Sequence, residues 1–377
     1  MVVTCVALSG AGGQAWVWDL PAWVPPPVVP VDNPMTPVKV ELGRHLFYDQ
    51  RLSADGSQSC ASCHHQDKAF TDGLAVATGV TGEKGARSAM GLANVAYLPT
   101  LTWANPQLTS LEVQALIPLF GEHPVEMGMA GREEALFALL QTDDRYQNLF
   151  ARAFPAEARQ GPQALYSLST LTRALAAFQR SLLSFDSPYD RYRYGGQPGA
   201  ISAAARRGEE LFFGEKMECY HCHGGFNFTD NIQHSRLPIA ERGFHNTGLF
   251  DVDGRGSYPA DNPGMVEFTG EDSDRGRFRT PSLRNVAVTA PYMHDGSIAT
   301  LEQVIRDHYA KAGRSSTVRG QPSHLRSELV MGFEVSDAEM ADLVAFLQSL
   351  TDLDFLVDKR LGNPWLERPN AGSARFR

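Results

Sequence analysis

Two pentapeptides constrain this chain more than anything else in it: Cys60-Ala61-Ser62-Cys63-His64 and Cys219-Tyr220-His221-Cys222-His223. Both read Cys-x-x-Cys-His. Thiols three positions apart reach the two vinyl groups along one porphyrin edge, and the adjacent imidazole then lies beneath the iron as its proximal ligand. One such motif is also compatible with a redox dithiol or half a zinc site. Two of them in matching contexts read as two covalently bound haem c groups, held by Cys60, Cys63 and His64, and by Cys219, Cys222 and His223. His65 and His221 are read as bystanders. Because c-type haem is attached after export, the motifs place the chain in the periplasm.

The contexts match on both sides of each motif. Gly43-Arg44-His45-Leu46-Phe47-Tyr48 precedes the first, and Arg207-Gly208-Glu209-Glu210-Leu211-Phe212-Phe213 the second. Phe70-Thr71-Asp72-Gly73 is answered by Phe228-Thr229-Asp230-Asn231, and residues 87–96 by 279–287, with Asn94 opposite Asn285. A repeat of this kind in 377 residues predicts two copies of one domain. The apolar residues Leu165, Leu168, Leu171, Leu175, Phe178 and Leu182 recur at three and four, one stripe of a long helix. Ser336 and Glu339 form a capping box before another amphipathic helix. The expectation is a mainly α fold of two cytochrome c-like domains, 37–194 and 195–355, each with one haem. Their joint is the cluster Tyr194-Gly195-Gly196-Gln197-Pro198-Gly199.

Residues 1–36 read as an export-signal remnant followed by a proline-rich extended arm, and 356–377 as a tail. Cys5, the cysteine outside the motifs, is equally compatible with a lipid anchor and with an ordinary leader residue. A net charge of -9 argues against nucleic-acid binding and permits docking of a basic protein.

From 37 to 352 the chain resembles the bacterial dihaem cytochrome c peroxidase and MauG family. Besides the haem motifs, the resemblance is carried by Ala69-Phe70-Thr71-Asp72, His123-Pro124-Val125-Glu126-Met127-Gly128-Met129, and Phe185-Asp186-Ser187-Pro188-Tyr189-Asp190-Arg191. Further along it continues through Phe244-His245-Asn246-Thr247-Gly248-Leu249, Gly276-Arg277-Phe278-Arg279-Thr280-Pro281-Ser282-Leu283-Arg284-Asn285, and Thr289-Ala290-Pro291-Tyr292-Met293-His294-Asp295-Gly296. The resemblance implies a peroxide-reactive first haem over His64 and a six-coordinate second haem over His223. It also implies Glu126 as the distal carboxyl that moves a proton between the peroxide oxygens. Gln114 and Pro118 would line the same pocket, and Trp103 would lie between the haems.

The family varies the sixth ligand of the second haem between methionine and tyrosine. Thr300 and Gln303 make a capping box, after which Leu301, Val304 and His308 share an α-helical face. His308 is therefore the expected ligand, with Tyr309 the alternative one residue along; nothing in the spacing of Met293 or Met331 recommends them. The resemblance also allows an inter-domain calcium ion on the backbone oxygens of Thr289 and Pro291, although Ser88 stands where the family has an asparagine. Met217 stands where MauG has a surface tryptophan. The segments around Trp103, Glu126 and His223 most resemble MauG-like enzymes paired with a copper-binding partner, as in methanobactin gene neighbourhoods.

Those likenesses imply an enzyme that uses hydrogen peroxide to form a high-valent haem pair and to oxidise a partner protein, with tryptophan converted to kynurenine. An ordinary peroxidase fed by a small cytochrome c or cupredoxin shares nearly every motif. A dihaem electron carrier without enzymatic activity is the reading of another class.

Overall fold

The computed structural model describes residues 15–313 and 324–366; Cys5 lies outside them. Each half is organised around one pair of packed helices. Pro37–Tyr48 lies against Leu168–Arg180, and Ala203–Phe213 against Asp337–Ser349.

The four helices start where their capping residues dictate. The Thr36 hydroxyl accepts from Lys39 N, with Pro37 at the first helical position, and Ser202 accepts from Ala205 N. Ser167 with Thr170 and Ser336 with Glu339 form reciprocal boxes. The stripe from Leu165 to Leu182 is consequently not one helix. Leu165 closes the short helix Pro162–Leu165, and Ser167 caps a new one. Leu171, Leu175, Phe178 and Leu182 still enter one core with Leu42, Leu46 and Phe47.

The second core is built from Phe212, Phe228, Met340, Leu343, Phe346 and Leu347, among others. Sheet is confined, among the described residues, to Phe244–His245 antiparallel to Phe278–Arg279. The rest of each half is loop, held by short helical turns. No described helix is long and apolar enough to cross a membrane.

Two segments tie the halves together. The arm is non-helical from residue 15 to 36: on the first half Trp23 stacks on Tyr194 with centroids 4.0 Å apart and the Tyr97 hydroxyl donates to Pro25 O, and on the second Ser235 N donates to Pro26 O. At the other end, the chain leaves the second core and returns to the first. Phe355 and Leu356 are buried in the first core, and Phe355 packs against Phe70 at 5.6 Å. The Gln66 amide donates to Phe355 O and Asp358 O, the Tyr48 hydroxyl to Leu361 O, and the Trp365 indole to His45 O. Residues on both sides of 355, the expected end of the second domain, thus complete the first core.

Candidate functional site

Each Cys-x-x-Cys-His motif contains a single helical turn, Cys60–Cys63 and Tyr220–His223. His64 Nδ1 lies 2.6 Å from Phe70 O and His223 Nδ1 lies 3.2 Å from Phe228 O. A carbonyl can only accept, so Nδ1 carries the proton and Nε2 keeps its lone pair for a metal. In both halves the acceptor belongs to a phenylalanine in the left-handed region, φ 64° and 50°. The repeat therefore extends to the backbone turn that orients each imidazole.

Burial holds both rings below the ordinary imidazole range. The thiols are free. Burial pushes Cys60 and Cys219 up to about 12 and Cys63 to about 11.

A large, mainly apolar cavity runs from the first half to the second motif. Its lining includes Ala69, Thr71 and Asp72 of the first half, Cys219, Cys222 and His223 of the second, and Trp103 and Ser88. Leu301, Ile305, Leu343 and Leu347 close the far side. Arg279 lines it too: 2 % exposed, it donates to Thr102 O, Thr280 O and Met90 Sδ. Burial lowers it to about 10. A buried guanidinium bonded to neutral acceptors invites an anionic partner. A haem fits that requirement, because its propionates are carboxylates and its ring is apolar.

The structure places Tyr309, not His308, on this cavity wall. The reason is a change of helical winding. After Leu301–Gln303 the chain forms a π-helical turn, Val304–Tyr309, and Ala310 N donates to Ile305 O, five residues back. With five residues per hydrogen-bonded step, the side chain sharing a face with Val304 is Tyr309 rather than His308. The Tyr309 hydroxyl is raised by burial, with a contribution from the neighbouring Cys222 and Cys219. His308 is fully buried instead, both ring nitrogens lack a partner, and burial lowers it to about 4. Met293 lines the cavity, whereas Met331 is 70 % exposed.

Around the first motif the structure gathers a second set of residues. Glu126 is half-buried, and burial raises its carboxyl above the ordinary range. Its charge adds to burial in pushing the Cys63 and Cys60 thiols up. The loop that carries it is pinned by Val80 N to Glu126 O and by Met127 N to Pro118 O. Pro118 belongs to Leu116–Phe120 and Gln114 ends the preceding turn, Leu111–Gln114, so one short helical stretch supplies both. Trp103 donates its indole N–H to Ser88 O at 2.9 Å, and its carbonyl accepts from Arg279 N. Thr289 and Pro291 line the same cavity as Ser88.

Sequence reading missed three cavity residues: Arg279, His245 and His294. His245 Nε2 meets Asp230 Oδ2 at 2.6 Å, and that bond is the main cause lifting His245 to about 10. His294 stacks on Phe278 at 3.6 Å, and burial, with Arg87 and His308 adding to it, lowers it to about 3. Asp230 was already visible in the repeated Phe-Thr-Asp; its histidine, distant in sequence, was not.

Comparison with known proteins agrees with this arrangement. Residues 37–198 match the family model of the di-haem cytochrome c peroxidases. Over 323 residues, covering 85% of this chain and 84% of the relative, the sequence is 35% identical to the methylamine utilization protein MauG of Methylophilus methylotrophus. It is also 35% identical to the cytochrome-c peroxidase IdrP1 of Denitromonas iodatirespirans, covering 95% of this chain and 93% of the relative. Among solved structures, a MauG-like protein associated with microbial copper homeostasis superposes with a TM-score of 0.87 at 48% identity, covering 93% of this chain and all of that one. The chain belongs to the di-haem cytochrome c peroxidase and MauG family and is a helix-rich, haem-dependent oxidoreductase of the peroxidase type, with two haem c groups as the family's cofactors.

Proposed function

We propose that this protein works in the periplasm, reduces hydrogen peroxide at the haem over His64, and draws the electrons from a copper-binding protein partner oxidised at a tryptophan. Kynurenine is the product to look for in that partner. The haem domains are 37–194 and 195–355, the first closed by the returning chain end. One observation carries the reading: a half-buried carboxyl, Glu126, raised by burial, whose charge is felt by the Cys60 and Cys63 thiols. The partner's chemistry is supported by the copper-homeostasis context of the 48% identical structure. The periplasmic setting is supported by the two attachment motifs.

When bound, each haem c supplies an iron that changes oxidation state and a conjugated ring that spreads the charge. The protein's own groups do the rest. His64, whose Nδ1 is fixed by Phe70 O, would offer Nε2 to the first iron. Glu126 takes the proton from the inner peroxide oxygen and returns it to the outer one, which leaves as water. With two electrons and two protons, one peroxide yields two waters. Trp103 spans the space between the sites. His223 and Tyr309, which line the same cavity, would hold the second haem and leave no place on it for peroxide, and the buried Arg279 would pair with one of its carboxylates.

The Ser88 hydroxyl donates to Met293 O and the Ser88 carbonyl accepts from Trp103, and Thr289 and Pro291 line the same cavity. No step is assigned to calcium, and none to a lipid anchor at Cys5.

The test is stopped-flow mixing of the diferric holoprotein with stoichiometric peroxide. A two-equivalent spectral change that persists until reduced partner is added supports the proposal. The 35% identical cytochrome-c peroxidase favours a second reading, clearance of peroxide with electrons from a small cytochrome or cupredoxin. That reading requires prior one-electron reduction before any reaction. No reaction in either state leaves an electron carrier.

A further inference from the structure

A partner protein docked on the outer surface can pass its electrons to the cavity by way of an intervening side chain that can be oxidised. We propose that Tyr220, between Cys219 and Cys222, is that exit relay. The inference rests on the peroxide-driven reading above and deepens it by naming where electrons enter.

Three observations converge on this residue. Tyr220 is the immediate neighbour of Cys219, whose sulfur carries the haem edge, so few covalent bonds separate its backbone from the ring. Its side chain is half-buried, packed on the second core with Phe213 6.5 Å away, and tilted over His221 at 4.3 Å. Finally, it lines a surface groove with His221, Phe226, His234 and Leu237, so one side of the phenol faces the exterior.

Rival routes are weaker on physical grounds. Met217 precedes the motif but is buried, 7 % exposed, and reaches no surface. The stacked pair Trp23–Tyr194 does reach it, Tyr194 being 43 % exposed. However, the Arg284 guanidinium sits 5.8 Å from the Trp23 ring, and a fixed cation opposes a positive hole there. Tyr220 escapes this penalty because its phenol loses a proton together with the electron, and the fixed charges near it are acidic: Glu218, 3.8 Å from His221, and Asp230 and Glu241 on the same groove.

The chemistry balances. Hydrogen peroxide is the oxidant, and its conversion to two waters consumes two electrons and two protons. Tyr220 gives one electron to the haem side and its phenolic proton to solvent, becoming a neutral tyrosyl radical. An electron from the partner side chain and a proton from solvent restore the phenol, and a second cycle completes the pair.

The experiment treats the diferric holoprotein with peroxide and a nitroso spin trap, without partner, and maps the adduct by mass spectrometry after digestion. The expected label is on Tyr220. It is lost in Tyr220→Phe, whose optical change with peroxide also decays more slowly, and it is retained in Trp23→Phe. A label on Trp23 or Tyr194 that persists in Tyr220→Phe overturns the relay while leaving the peroxide chemistry standing. Absence of any two-equivalent optical change overturns the underlying reading, and the relay with it.

Discussion

Gly208 lies so close to Asp342 that an added Cβ would stand 2.0 Å from the Asp342 carbonyl oxygen, and Gly43 stands in the same relation to Ala174. Phe346 and Phe178 repeat the correspondence, each with its Cβ 2.8 Å from the added atom. The glycines are what let both helix pairs close.

Gly208→Ala is therefore expected to destabilise the holoprotein. Alanine gains about 1 kcal/mol in helix propensity, but the clash is with backbone and cannot be relieved by a rotamer. Overpacking of this kind costs about 1–3 kcal/mol. A urea midpoint no lower than that of the parent would show that the helices separate freely.

Glu126→Gln should leave both haems attached and slow the reaction with peroxide by roughly 10²–10⁴-fold. The parent rate should also fall toward acid pH. The working form is the carboxylate, and burial raises its titration above that of an exposed glutamate, so the base is lost at a higher pH than for an ordinary glutamate. Stopped-flow rates against pH check both points. An unchanged rate, or a Gln variant with the same acid limb, would remove Glu126 from the reaction.

Tyr309→Phe should open the second haem to added cyanide or imidazole, while His308→Leu should keep it six-coordinate. Optical titration reads the difference. The reverse pattern would return the ligand to His308 and mean that the π turn rewinds when haem is bound.

Arg284 and Asp190 form a buried ion pair at 2.8 Å, with side chains 1 % and 3 % exposed. Arg284 also donates to Phe226 O, three residues after His223. Arg284→Met leaves Asp190 unpaired and is expected to cost about 3–5 kcal/mol. Thermal unfolding measures it; restoration by a second change, Asp190→Asn, would show that the stranded charge is the cause.

Much of this was legible in the sequence because it is local or repeated. A motif of five residues places its own histidine, and a capping box places the helix after it, as Ser336 and Glu339 do. The repeat even predicts that Asn94 and Asn285 do the same work: each accepts a backbone N–H at 2.8 Å, from Ser184 and Asp352. What could not be read depends on winding and on distance. His308 was expected on the haem face because an α-helical period was assumed, and a π turn shifts that face by one residue. Leu165 and Leu168 fit one stripe although Ser167 starts a new helix between them. Arg279 and His245 acquire meaning from partners brought together only by the fold.

The returning chain end also sets an order of assembly. The Gln66 side-chain amide and the Phe355 carbonyl to which it donates are 289 residues apart in sequence. The first core can bury Phe70 and seal its flank only when the segment 355–366 comes back to it, a long-range and entropically costly closure. Until then the N-terminal half is open along the side where Gln66 follows the first haem motif, and the returning segment acts as the bolt that closes it.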